Sequence, residues 1–298
     1  MHYLVTGGSG FVGHVLCRDL VRDGHDVTVL TRDPPRAAAR LPPAVRCVGQ
    51  LEHAAAADAI VNLAGENLAD GRWTPSRKQR LRASRLDTTR DLVAWIAAQT
   101  PRPRVLVSGS AIGWYGARGD EVLGEDATPG GDFAAQLCRS WEAEAQRATA
   151  LGVRVACVRT GLVVHPSGGA LARMLLPFKL GLGGPMGDGR QWMSWIARSD
   201  LVRLIRWLVD TEDAHGAYNG TAPEPVRNAE FARVLGAWLH RPALLPAPGF
   251  VLKLLLGEMA DLLLSGQRVL PRRAQAQGFA FECSELSQAL LFEAQQAA

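Results

Sequence analysis

Three features of the 298-residue sequence predict an α/β fold: a doubly wound parallel sheet with a smaller C-terminal α/β lobe. Short aliphatic runs alternate with helical patterns through the first half. A glycine-rich turn joins the first run to the first helix. Glycine and proline break up the regular pattern in the second half. Runs that are aliphatic at every position belong to strands buried on both faces. Strands separated by helices pair in parallel, with helices on both sides.

Each element follows from its own stretch. Tyr3–Thr6 is the first strand, and Phe11–Arg22 a helix that turns Phe11, Val12, Val15, Leu16 and Leu20 inward. Val27–Thr31, Val45–Val48, Ala59–Ala64, Val105–Ser108 and Val153–Val158 are the second to sixth strands. Long helices are expected over Pro75–Gln99 and Gly131–Ala150. Gly168–Gly169 and Gly181–Gly189, with Pro177 and Pro185, mark a long loop. Helical patterning resumes over Asp200–Val209, Asn228–His240 and Phe250–Leu264. In the last, Leu252, Leu255, Leu256, Met259, Leu262 and Leu263 recur at helical spacing, while Lys253, Glu258 and Asp261 interrupt the run. An amphipathic helix packed on the core is expected there, not a membrane span. The division is residues 1–165 as a first, Rossmann-like domain and 166–298 as a lobe packed on it, with a small terminal domain from about 245.

Composition narrows the function. With 47% hydrophobic and 21% charged residues the chain is globular, and it is long enough to bury a core without cross-links. The five cysteines are scattered and form no CxxC, and the seven histidines lack ligand spacing, so neither disulfides nor a metal are expected. No signal peptide is expected, and a reducing cytoplasm fits best. The net charge of +4, without arginines interleaved with aromatics, argues against a nucleic-acid partner. A small-molecule substrate is expected instead, and no membrane partner.

Residues Thr6-Gly7-Gly8-Ser9-Gly10-Phe11-Val12-Gly13 lie between the first strand and the first helix. Gly7, Gly10 and Gly13 would supply a tight turn, close approach of a pyrophosphate to the backbone, and close helix–strand packing. Beside them, Phe11 and Val12 would offer backbone N–H groups at the positive end of the helix dipole. The second strand ends at Thr31 and Arg32, and Arg32 lies 19 residues after Gly13. An acid near this position serves NAD(H), whereas a guanidinium pairs with a 2′-phosphate, so NADP(H) is favoured over NAD(H). Asp33 follows immediately and keeps NAD(H) open.

Together, Thr6–Gly13, Asn62-Leu63-Ala64-Gly65 and Ser108-Gly109-Ser110-Ala111 resemble extended short-chain dehydrogenase/reductases. The resemblance sharpens to the atypical epimerase family group, described as nucleoside-diphosphate-sugar epimerases. It rests on Gly65–Thr74, Arg77-Lys78, Arg159-Thr160-Gly161, Gly187–Trp192, Ser194–Ile196 and a C-terminal run through Leu256-Gly257-Glu258, Gly266–Val269 and Gly278-Phe279. That run is similar to the group's small terminal domain of unknown function. The resemblance covers nearly the whole chain. It implies NADP(H) binding, with Leu63, Ala64 and Gly65 beside the phosphate and ribose. It also implies Ser108 and Ser110 near the nicotinamide, the backbone of Arg159, Thr160 and Leu162 facing its amide, and a homodimer.

The resemblance also implies a Tyr-x-x-x-Lys pair on the helix after the fifth strand, in which the lysine lowers the phenol pKa. The three tyrosines, Tyr3, Tyr115 and Tyr218, are followed four residues later by Gly7, Gly119 and Ala222. No such pair exists. The candidate replacements are Ser110 to polarise a substrate oxygen, and Tyr115 or Glu66 to move a proton. Tyr115 could equally be a packed loop aromatic, and Glu66 a capping carboxylate. Cys138 reads as a packing thiol. Asn67, Arg72, Trp73, Gln191, Trp192 and Trp195 suggest an apolar-walled substrate pocket with a few directing polar groups, or core tryptophans under a loop. Two readings result: an NADP(H)-dependent oxidoreductase or epimerase acting on a small polar or sugar-like substrate, and a catalytically weak NADP(H)-sensing protein.

Overall fold

Leu4 and Val5 are neighbours on the first strand, and their side chains enter opposite cores, because successive side chains on a strand alternate faces. The computed structural model describes residues 1–296. Its first half runs β1 (His2–Thr6), α1 (Gly13–Arg22), β2 (Asp26–Leu30), α2 (Pro34–Ala38), β3 (Arg46–Val48), β4 (Ala59–Asn62), α3 (Pro75–Ala97), β5 (Val105–Ala111), β6 (Val122–Leu123), α4 (Phe133–Gln146) and β7 (Arg154–Thr160). The second half runs β8 (Leu162–Val164), α5 (Gly169–Lys179), β9 (Trp192–Met193), β10 (Trp195–Ala197), α6 (Arg198–Asp210), β11 (Gly216–Gly220), β12 (Val226–Arg227), α7 (Asn228–Trp238), α8 (Gly249–Leu256), α9 (Asp261–Leu264), β13 (Arg268–Val269), α10 (Arg272–Ala276) and α11 (Leu286–Gln295).

Seven strands form one sheet in the order β11-β7-β5-β4-β1-β2-β3, and every pairing is parallel. One face carries Val5, Val29, Val61 and Val107 against Leu16 and Leu20 of α1 and Leu204 and Leu208 of α6. The other carries Leu4, Ile60 and Leu106 against Leu92 and Ile96 of α3. Burying each such side chain contributes roughly 1.5–3 kcal/mol. The order reverses between β1 and β4, which opens a crevice at the carboxyl ends of the strands. The register gathers those ends: Thr6 lies opposite both Leu30 and Asn62, Asn62 opposite Ser108, and Ala111 opposite Thr160.

Two elements depart from the sequence reading. The seventh strand, β11, comes from beyond residue 165, and its sequence Gly-Ala-Tyr-Asn-Gly has no aliphatic run. It pairs with β7 and buries Tyr218 and Asn219, and the Glu125 carboxylate accepts the Asn219 backbone N–H at 3.0 Å. The expected core helix over Phe250–Leu264 is instead broken at Gly257 into α8, a short 3₁₀ turn and α9. None of the residues of α8 is fully buried, and its contact with the core is through Leu256 at its end, which packs partly buried on the cluster around Trp73 and Phe133. The turn is the anchor, through buried Met259 and Ala260.

Candidate functional site

The glycine loop is shaped by close approach. Gly7 has φ of 69°, and a Cβ on it would lie 2.7 Å from the backbone of Leu63. A Cβ on Gly13 would lie 2.3 Å from the Gly7 carbonyl oxygen. These two contacts press the start of α1 onto β1 and the turn after β4. A Cβ on Gly10, in contrast, would meet only the Gly7 oxygen, at 3.0 Å, so the outer side of the loop is open. The N-cap residue of α1 is Val12, which makes no side-chain cap bond, and the first turn carries no acid. That helix end therefore keeps its positive dipole for an anion. Buried polar bonds fix the adjoining strand ends. The Thr6 hydroxyl donates to Asn62 Oδ1 at 2.6 Å and accepts from the Ala64 N–H at 3.1 Å. Asn62 Nδ2 donates to Thr89 and Ser108 at 2.8 and 3.3 Å. This cradle fits a dinucleotide pyrophosphate.

At the end of β2 a hollow of about 180 Å³ is lined by Ser9, Thr31, Arg32, Asp33, Arg36, Ala37 and Arg40. Asp33 is the N-cap of α2, and its Oδ1 accepts the Arg36 N–H at 3.1 Å. That oxygen is thereby engaged at the helix end. None of the three arginines has a carboxylate within 4.0 Å among the described residues. Arg36 and Arg40 carried no signal in the sequence: Arg36 lies within α2, whereas Arg32 precedes the helix and Arg40 follows it, and the fold of this short segment brings them to one hollow.

Ser110, 5% exposed, ends the buried part of β5. Its hydroxyl donates to Glu142 Oε1 of α4 at 2.6 Å. Arg159 of β7 grips the same carboxylate through Nε and Nη2, at 2.9 and 3.0 Å. Its guanidinium also stacks on Trp114, 3.8 Å from the ring centre, and donates through Nη1 to the Tyr115 hydroxyl and the Glu125 carbonyl, at 3.1 and 2.9 Å. Arg159 thus faces the helix layer with its side chain. Glu142 carried no signal in the sequence, because its role depends on a contact 32 residues away.

Tyr115 is not poised for proton transfer. It is fully buried, its hydroxyl donates to Asn219 Oδ1 at 2.6 Å, and burial pushes its phenol up to about 12. The inward face of α4 offers Ala134 and Cys138, one turn apart. A Cβ on Gly113 would sit 3.1 Å from the Ala134 Cβ and 3.9 Å from the Cys138 Sγ. Burial, reinforced by the negative charge of Glu142, pushes the Cys138 thiol up to about 11. It is a protonated packing group at neutral pH.

The Glu66 carboxylate turns toward α3, where it pairs with Arg77 and, at 3.7 Å, with Arg80. Behind it, buried Arg85 donates to the Glu66 carbonyl at 3.0 Å and lies 5.2 Å above the Trp141 ring. The six expected pocket residues are largely engaged in bracing. Asn67 closes a turn onto Asp70 and Ala69. Arg72 donates to the Leu254 and Leu255 carbonyls at the end of α8. Trp73 packs edge-on against Phe133 and donates to the Leu68 carbonyl. Gln191 Nε2 donates to the Met186 and Leu263 carbonyls. The guanidiniums of Arg227 and Arg268 lie 4.1 and 4.6 Å from the Trp192 ring centre, and its Nε1 donates to Asp120. Trp195 is fully buried and belongs to the core of the lobe, which corrects its expected place on a pocket wall: its ring packs in the cluster with Phe231 and Leu235, and its Nε1 donates to the Glu224 carbonyl at 3.0 Å. Among the described residues, no cluster of three or more His, Cys, Asp or Glu is placed to hold a metal.

The sequence profile of the NAD dependent epimerase/dehydratase family matches residues 3–219. The chain belongs to that family. A second profile, of a domain of unknown function (DUF1731), matches residues 247–292. The chain is 41% identical over 295 residues to the Arabidopsis thaliana epimerase family protein SDR39U1 homolog, chloroplastic, covering 96% of this chain and 84% of the relative. It is 38% identical over 298 residues to the epimerase family protein YfhF of Bacillus subtilis, covering 97% of each. The crystal structure of human epimerase family protein SDR39U1 (isoform 2) with NADPH superposes with a TM-score of 0.90 at 36% identity, over 99% of both chains. As a family member, the chain keeps the glycine loop and the sheet. It departs in α4, which contains neither a tyrosine nor a lysine.

Proposed function

We propose that the chain is an NADP(H)-dependent oxidoreductase of the epimerase type, acting on a small polar or sugar-like substrate. The observation that carries this reading is the hollow where Arg32, Arg36 and Arg40 converge beside Ser9 and Thr31. Three cations without carboxylate partners suit a 2′-phosphate. The NADPH in the human relative supports the same choice. In this reading Gly7, Gly10, Phe11, Val12 and Gly13 hold the pyrophosphate, and Leu63, Ala64 and Gly65 run beside it. Ser108, Thr160 and Leu162 flank the nicotinamide.

When bound, the nicotinamide supplies the hydride acceptor or donor. The chain supplies the proton path. The Ser110 hydrogen is directed at Glu142, which leaves an oxygen lone pair for a substrate hydroxyl. As the substrate hydroxyl gives its proton to Ser110 Oγ, the proton already on Ser110 passes to the Glu142 carboxylate. Reduction reverses both transfers. Neither a tyrosine nor a lysine is needed.

Titration calorimetry with NADPH and NADH tests the cofactor, and change in nicotinamide absorbance with a panel of carbonyls and sugar nucleotides tests the reaction. Equal affinity for the two cofactors overturns the first part, and no absorbance change with any substrate overturns the second. The sensing reading is favoured by the sequence of α4, which carries no tyrosine and no lysine. It predicts tight NADPH binding without turnover.

A further inference from the structure

The C-terminal lobe carries a face that is both apolar and exposed. Leu244, Phe250, Leu254 and Leu180 are 80%, 75%, 71% and 65% exposed, and Leu182 and Leu245 lie among them at 59% and 52%. These residues come from two segments fastened side by side. The Leu245 N–H donates to the Gly183 carbonyl at 3.1 Å, and the Ala247 N–H to the Pro185 carbonyl at 2.9 Å. Pro248 then caps α8, which carries Phe250 and Leu254 one turn apart. This eight-residue helix reads Gly-Phe-Val-Leu-Lys-Leu-Leu-Leu; Leu256 at its end packs on the cluster around Trp73 and Phe133, while Phe250, Leu254 and Leu255 stay exposed.

Within the two segments the charges have one sign. Residues 169–187 and 241–257 contain no aspartate or glutamate; their charged residues are Arg173, Lys179, Arg241 and Lys253. Arg241 Nε donates to the Lys179 carbonyl at 3.2 Å, so two of these cations sit together at the end of α5 beside Leu180 and Leu182. Neither Lys179 nor Arg241 has a carboxylate within 4.0 Å among the described residues. Lys253 faces Asp261 at 3.6 Å, with both side chains more than half exposed, so that charge is only partly compensated.

We propose that this face docks on the surface of an anionic lipid bilayer. Leucines and phenylalanine would enter the boundary between headgroups and acyl chains, with Lys179 and Arg241 at the headgroups. No helix among the described residues is long and apolar enough to cross a membrane, so the chain would lie on the surface. A second copy fits less well. A two-fold interface sets the same patch against itself and would bring the uncompensated cations of both copies together.

The test is flotation of the full chain with phosphatidylcholine vesicles, with and without phosphatidylglycerol. Binding is expected only to the anionic vesicles, with release at high salt. The pair Phe250→Asp with Leu254→Asp, and separately Lys179→Glu with Arg241→Glu, should each lower partitioning by about tenfold or more. NADPH affinity and the unfolding midpoint should stay unchanged, and both pairs are at exposed positions where folding is tolerant. No flotation with either vesicle, or equal flotation with both, overturns the proposal. So does a dimer in sedimentation equilibrium that the Phe250→Asp, Leu254→Asp pair dissociates, because the face would then be covered by a second copy.

Discussion

The Ser110 hydroxyl lies 2.6 Å from the Glu142 carboxylate, with both residues more than nine-tenths buried. This short bond fixes the direction of the serine hydrogen. If it conducts the proton, Ser110→Ala should lower kcat/KM about 100-fold or more while leaving NADPH affinity within about twofold. The measurement is steady-state kinetics with a substrate found by absorbance screening, alongside calorimetry. A Ser110→Ala variant with full turnover would remove the serine from the mechanism.

Glu142 also matters for stability, because it neutralises Arg159. Glu142→Gln leaves a guanidinium that is 4% exposed without its counter-ion. Removing one partner of such a pair costs about 3–5 kcal/mol. Replacing both with apolar residues costs much less, because no charge is left stranded. Glu142→Gln should therefore lower the urea midpoint sharply, and Glu142→Leu with Arg159→Met should recover much of the loss. A double variant as unstable as the sum of the two singles would show that the pair is not coupled.

Arg32, Arg36 and Arg40 make a sharper prediction about cofactor choice. A charge-assisted bond to phosphate contributes about 1.5–3 kcal/mol, or roughly 10- to 100-fold in affinity. Alanine at any one of the three should weaken NADPH binding by about tenfold or more and leave NADH binding nearly unchanged. Parallel calorimetric titrations decide it. Equal losses for both cofactors would mean that the arginines act on the shared adenosine.

The contrast between these residues shows what a sequence displays. Six sheet strands were legible, because strands buried on both faces must be aliphatic throughout. The seventh, Gly216–Gly220, was not: its backbone pairing with β7 and the Glu125 cap hold it, not an aliphatic pattern. The glycine loop was legible because Gly7 and Gly13 answer local backbone contacts. Arg36 and Arg40 were not, since α2 holds only Arg36, and Arg32 and Arg40 reach the same hollow from outside the helix. Nor was Glu142, since it meets Ser110 and Arg159 only when α4 packs on β5 and β7. Tyr115 and Trp195 have residue types common in active sites, yet burial and hydrogen bonds to Asn219 and Glu224 make them structural. Helical spacing predicted Phe250–Leu264 as a core helix, but periodicity does not say what covers an apolar face.

Cys138 links this packing to pH. Its thiol is pushed up to about 11 by burial, from an ordinary value of 9.0. The Tyr115 phenol is pushed to about 12 from 10.0 for the same reason. In both cases the folded pKa lies above the unfolded one, so the folded state retains a proton that the unfolded state releases. The stability from this preference is fully present below about pH 9 and is lost as the pH rises through 9 to 11 for Cys138, and through 10 to 12 for Tyr115. Urea midpoints should hang level from pH 7 to 8.5 and fall steeply above pH 9. Cys138→Ala removes one titrating group and should make that fall shallower, even if the variant is less stable at pH 7. The same protonated state makes Cys138 unreactive toward iodoacetamide at pH 8 in the folded chain. Rapid carboxymethylation of Cys138 at that pH, read by peptide mass mapping, would show a thiolate in the crevice and return Cys138 to the list of candidate reactive groups.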